Sequence, residues 1–209
     1  MRKTGFLVLV MVLTITLVLA CCSTDGATYE KISVYDNPQK ALLVMDMQVD
    51  LIDENGKFPM EKAQLNNLII TVNNIIEDCH SNNYIIIYIR NIIGKDDKRG
   101  DINYATMEGT PGAEIDSRIS IVSDQVYDKY SGSAFSNKDF ENYLIQNQVN
   151  DLYLCGVMAS GCVSDTALGA FDRNYKVSCY SNAVGDLSER AIENAIEKLK
   201  RKGINIIEF

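Results

Sequence analysis

Basic charge is in short supply in this 209-residue chain: 20 lysines and arginines stand against 28 aspartates and glutamates, a formal charge of −8. Two of the basic residues, Arg2 and Lys3, precede an N-terminal apolar run, and leaving them out gives 18 against 28, a charge of −10. Phosphate binding needs a basic face, so nucleic acid is not an expected partner. Internal repeats and low-complexity tracts are lacking too. What remains is ordinary globular composition, 46% hydrophobic and 23% charged, at a length that suits one domain and an export segment. Histidine is nearly absent: His80 stands alone, at the end of a helical pattern where a helix C-terminal position accounts for it.

The uncharged run from Gly5 to Ala20 is shorter than a membrane span and ends in small residues, the layout of a secretory signal. Its end, Val18-Leu19-Ala20-Cys21, resembles the lipobox of bacterial lipoproteins. The resemblance implies cleavage before Cys21, lipidation of that residue and an extracytoplasmic protein anchored at the outer face of a bacterial membrane. A plain signal peptide that releases a soluble protein is the rival reading. The chain then divides into a signal peptide (1–20), a polar tether (21–39) and a folded domain (40–209).

Strand and helix patterns alternate through that domain. Ala41 to Met45 and Tyr84 to Ile89 read as buried strands, and Gln125 to Asp128, Asp151 to Cys155, Tyr175 to Tyr180 and Ile204 to Ile207 as further strands. Leu65 to Cys79 carries apolar residues at helical spacing, a second helix starts at Ser136 with Asp139 completing a capping box, and Ser188 caps another that Gly203 stops. Met47 to Met60 reads as a loop, and Arg90 to Ser123 as a long irregular insert of the kind that forms lids. The expected fold is an α/β three-layer sandwich, doubly wound around a mostly parallel six-stranded sheet of Rossmann type.

Three reactive side chains fall at strand ends. Asp46 ends the first strand, where an Asp that merely caps a turn is the plainer alternative. Lys129 ends the third, where lysines are commonly solvated. Cys162 lies where the fourth strand turns into a helix, between Gly156, Gly161 and a run of small residues, a setting that suits thiol activation and oxyanion binding. In a parallel sheet all carboxyl ends share one edge, so neighbouring strands would bring the three together. Cys79, Cys155 and Cys179 read as buried inert thiols, with a Cys155–Cys179 bridge open if their strands are adjacent.

Leu43-Val44-Met45-Asp46-Met47-Gln48, Gly109-Thr110-Pro111-Gly112-Ala113-Glu114-Ile115, Lys129 followed by Ser133-Ala134-Phe135, and Gly156-Val157 before Cys162-Val163 together resemble the isochorismatase-like cysteine hydrolases, in the right order from about Ala41 to the end. The resemblance implies a triad in which Cys162 is the nucleophile, Asp46 its proton acceptor and Lys129 the cation that favours thiolate. It also implies a cis peptide at Val157–Met158 and an oxyanion hole of the Met158 and Cys162 amides. Gln48, Gly109, Thr110, Pro111, Gly112 and Phe135 become the substrate-loop candidates. A helix N-terminus and an ammonium would both bring the thiol pKa down from about 8.5 toward 7.

Nicotinamidases of this family hold a metal with an Asp-x-His pair, but Asp50-Leu51-Ile52 offers no histidine, so no metal and no other cofactor is expected. The expected activity is cysteine-dependent hydrolysis of a small amide or ureide C–N bond through a thioester. A vinyl ether hydrolase of isochorismatase type and a non-catalytic lipoprotein binding a small ligand are the alternatives. The expected partners are a small-molecule substrate and the membrane, with homo-oligomer formation left open.

Overall fold

The computed structural model describes residues 29–57, 60, 62–97 and 105–209; the expected signal peptide (1–20), most of the expected tether and the expected lipidation site Cys21 lie outside them. Six strands form one all-parallel sheet: β1 (Gln39–Met45), β2 (Ile85–Asn91), β3 (Val126–Lys129), β4 (Val149–Val157), β5 (Lys176–Gly185) and β6 (Asn205–Ile207), in the spatial order β3-β2-β1-β4-β5-β6. The central strands are buried on both faces, which is why they read as unbroken apolar runs.

Helices cover both sides. Leu65, Leu68, Val72, Ile75, Ile76 and Cys79 of α2 (Lys62–Ser81) pack with Leu42, Val44, Ile86 and Cys155 on one face. On the other, α3 (Lys138–Gln146), α4 (Ser164–Asp172) and α5 (Glu189–Arg201) bury Phe140, Leu144, Ala167, Ala170, Ala195 and Leu199 against Leu43, Met45, Leu154 and Cys179. Among the described residues no helix is long and apolar enough to cross a membrane.

Strand order reverses between β1 and β4, the crevice where open α/β sheets place their ligands. Gly156 lets those two strands close on each other there: its φ is +112°, and a Cβ would stand 2.1 Å from the carbonyl oxygen of Met45. Only glycine meets both demands.

Several local expectations change. The helix expected from Ser136 begins one residue later: Ser133 caps a 3₁₀ turn over Ala134–Ser136, and Asn137 caps α3, its Oδ1 accepting from the amides of Asp139 (2.8 Å) and Phe140 (3.2 Å). The expected loop after Met47 opens with a helical turn, α1 (Val49–Ile52). β4 and β5 are adjacent, yet Cys155 and Cys179 are free. Register puts Cys179 opposite Leu154, so the two thiols point to opposite faces of the sheet and cannot bridge.

Candidate active site

At the carboxyl edge of the sheet, β1, β3 and the turn after β4 deliver three groups to one point. Asp46 follows β1 with φ +52°, and Lys129 is the last residue of β3. Both are buried, at 0% and 1% exposure. Lys129 Nζ stands 3.0 Å from Asp46 Oδ2 and donates to Cys162 Sγ at 3.0 Å. It also donates to Asn91 Oδ1 (3.0 Å) and to the carbonyl of Ser131 (3.2 Å). An ammonium with three protons thus faces four acceptors, and its position is fixed from every side.

Burial sets the charge state. It pushes the Asp46 carboxyl above the usual carboxylate range, against the pull of the Lys129 ammonium and the hydrogen bond from Cys162. It pushes the Cys162 thiol up to about 12, assisted by the Asp46 charge and opposed by Lys129. The ammonium is also held above its ordinary value, since the charges of Asp46 and Cys162 outweigh its own desolvation. The expectation of a thiol lowered toward 7 is therefore corrected. Cys162 precedes the regular turns of α4, in a π-type turn (Ala159–Val163) broken at Gly161 (φ −111°, ψ −107°), and it shares its pocket with a carboxylate. Burial favours the thiol form of Cys162, and Lys129 is held as an ammonium.

The turn that carries Cys162 is held by its own amides. The Val157–Met158 bond is cis. Gly161 N and Val163 N donate to Met158 O at 3.1 and 3.2 Å, and Ser164 N donates to Gly161 O. Ser160 N donates to Asp186 Oδ2 at 2.8 Å. Asp186 is itself buried beyond the end of β5 and accepts from Leu187 N at 2.8 Å through its other oxygen.

Not every candidate loop residue lines a site. Gln48 is fully buried and spends its amide on backbone: Nε2 donates to Ala113 O (2.7 Å) and Asn91 O (3.0 Å), and Oε1 accepts from Asn91 N (2.8 Å). It braces β1, β2 and the insert. Phe135 packs in the core, 5.3 Å from the Phe140 ring and 4.4 Å from the Arg173 guanidinium. Gly109 (φ +76°), Thr110 and Pro111 form the turn into a 3₁₀ helix (Pro111–Ala113), with Thr110 Oγ1 donating to Met107 O at 2.8 Å. Gly112 lies on Asp50, where a Cβ would meet the carboxylate at 2.2 Å.

Asn91 and Asp186 were not singled out from sequence. Both stand at or just past the carboxyl end of a strand, the same signal that marks Asp46 and Lys129, but a neutral amide and an acid beside a polar run do not interrupt an apolar pattern conspicuously.

A family model, described as the isochorismatase domain, matches residues 40–208. The chain belongs to the isochorismatase family. Its fold is that of solved structures of this family and its relatives. A pyrazinamidase of Pyrococcus horikoshii in complex with zinc is 28% identical, with a TM-score of 0.73, covering 82% of this chain and all of that one. A nicotinamidase from Bacillus subtilis is 24% identical (TM-score 0.73; 81% and 100% covered), and a cysteine hydrolase from Pseudomonas syringae pv. phaseolicola 1448A is 18% identical (TM-score 0.75; 87% and 94% covered). Among curated proteins nothing matches.

The residues of this chain do not suit the metal of the nicotinamidase branch. Asp50 Oδ2 accepts from Thr106 N at 2.8 Å and lies under Gly112. Ile52, where the branch carries a histidine, is an apolar side chain 1% exposed. The described residues contain no cluster of three metal-ligating side chains.

Proposed function

We propose that the protein hydrolyses a small carboxamide or ureide through a thioester on Cys162. The observation that carries this reading is the buried Lys129 ammonium, 3.0 Å from both Asp46 Oδ2 and Cys162 Sγ. The pyrazinamidase and nicotinamidase among its structural relatives support the same reaction class.

Asp46 takes the thiol proton as Sγ attacks the amide carbonyl, so sulfur becomes a nucleophile only when substrate is in place. Burial holds the carboxyl above its usual range and so makes Asp46 a stronger base than an exposed aspartate. Lys129 keeps its proton throughout and offsets the negative charge that moves from carboxylate to sulfur. The carbonyl oxygen, now an oxyanion, accepts from the Met158 and Cys162 amides; those of Ser160, Gly161, Val163 and Ser164 already have partners. The C–N bond breaks as Asp46 returns the proton to nitrogen, releasing ammonia or an amine. Water, deprotonated by Asp46, then attacks the thioester, and the acid leaves as Cys162 regains its proton.

A panel of small aliphatic and heteroaromatic amides and ureides, assayed for ammonia release, tests the reading. The expected result is release with at least one member, reduced about a thousandfold or more in Cys162→Ala. Cleavage of isochorismate by both proteins, with no amide turned over, would instead establish vinyl ether hydrolysis.

A further inference from the structure

Thr106 is an unusual residue for an irregular insert. It is β-branched with φ +60° and is 1% exposed, a backbone region such residues adopt only when their surroundings hold them there. Each of its polar groups has a partner, one at the start of α1 and two at the end of β2. Its amide donates to Asp50 Oδ2 at 2.8 Å, at the start of α1. Its carbonyl accepts from Ile93 N at 3.0 Å, just past β2. Its hydroxyl accepts from Asn91 Nδ2 at 3.1 Å.

That last bond reaches the reacting groups. Asn91 turns its other amide atom, Oδ1, to the Lys129 ammonium at 3.0 Å. Its backbone is clamped on both sides by the Gln48 amide, so only its side chain can move. With Nδ2 held by the Thr106 hydroxyl, Oδ1 faces the cation. Without that acceptor the half-buried Nδ2 is free to turn to another partner, and rotation toward one withdraws Oδ1 from Lys129.

The segment that carries Thr106 is seated over the site by further contacts. Val49 N donates to Glu114 O at 3.0 Å, Asp116 N to Met47 O at 2.9 Å, and Gln48 Nε2 to Ala113 O at 2.7 Å. The Arg90 guanidinium spans Glu114 and Asp128, each at 2.7 Å. Gly112 admits the insert close enough for its backbone to rest on the Asp50 carboxylate. The Asp50 carboxylate thus holds the insert down.

We propose that Thr106 is a positioning residue that couples the seating of the 105–116 segment to the placement of the Lys129 ammonium beside Cys162, through Asn91. The inference rests on the triad reading of the site. It assigns to an insert residue a control over thiol reactivity.

Alkylation of Cys162 by iodoacetamide at pH 8, followed by peptide mapping, reads thiol reactivity without any substrate. Thr106→Val keeps the side-chain shape and the amide bond to Asp50 and removes only the hydroxyl; Cys162 is expected to react about tenfold more slowly. Thr106→Ser restores the acceptor and the rate to within about twofold. Asp50→Ala, which unseats the Thr106 amide, slows the reaction as Thr106→Val does. A cooperatively melting Thr106→Val that alkylates at the wild-type rate overturns the proposal, and so does a Thr106→Ser as slow as Thr106→Val. Should Thr106→Val not fold, Asp50→Ala reacting at the wild-type rate overturns it. Loss of the triad reading shows elsewhere, as amide hydrolysis that survives in Cys162→Ala.

Discussion

Burial works on Asp46 and Cys162 in the same direction, toward the protonated form, and the ammonium between them works in the other. The proposed reaction needs Asp46 ionised and Cys162 protonated before attack. Since the carboxyl is raised, protonation on acidification begins at a higher pH than for an exposed aspartate. The acid limb of kcat/KM is thus expected above pH 4, the ordinary aspartate value, with activity lost below it. No loss is expected up to pH 9, because the thiol stands near 12 and Lys129 is held above its usual range. A pH–rate profile on any turned-over amide checks this, and an acid limb at or below pH 4 would contradict it.

At the scale of elements, the site depends on how closely β1 and β4 approach. Met45 and Gly156 are register partners, and the next residues along each strand lead to Asp46 and to the Cys162 turn. Gly156→Ala would place a methyl 2.1 Å from Met45 O at a φ of +112°. Strain of about 1–3 kcal/mol from the backbone and a similar amount from overpacking are expected. Thermal unfolding should show a markedly lower Tm, and any folded fraction should hydrolyse slowly as Asp46 is pushed from Cys162. An unchanged Tm would show that the strands part freely.

The whole molecule explains which features the sequence made legible. An apolar run that stops at Asp46, and a thiol after a strand among small residues, are visible because a reactive group interrupts a pattern, whereas Lys129 follows Val126-Tyr127-Asp128 and is marked only by its place at a strand end. The doubly wound sheet was legible for the same reason: strands buried on both faces alternate with helices of one apolar stripe. Thr106 was not, since its partners Asp50, Asn91 and Ile93 belong to elements whose meeting is set by the folded topology, and the insert has no period. Gln48 belongs to a recognisable motif, yet its role as a brace appears only once Ala113 and Asn91 flank it. Capping misled by one residue at Ser136 because Ser133, Ser136 and Asn137 are all acceptable caps, and the 3₁₀ turn decides among them.

The central claim is that Asp46 accepts a proton from a neutral Cys162 thiol beside a fixed ammonium. Asp46→Asn tests it most directly, because two readouts should move in opposite directions. Removing the carboxylate charge relieves one of the causes that raise the thiol pKa, so iodoacetamide should label Cys162 faster at pH 8 than in the wild type. Ammonia release from the same amide should fall by about a hundredfold or more, as the proton acceptor is gone. Hydrolysis retained in Asp46→Asn, or a Cys162 that labels more slowly, would contradict it.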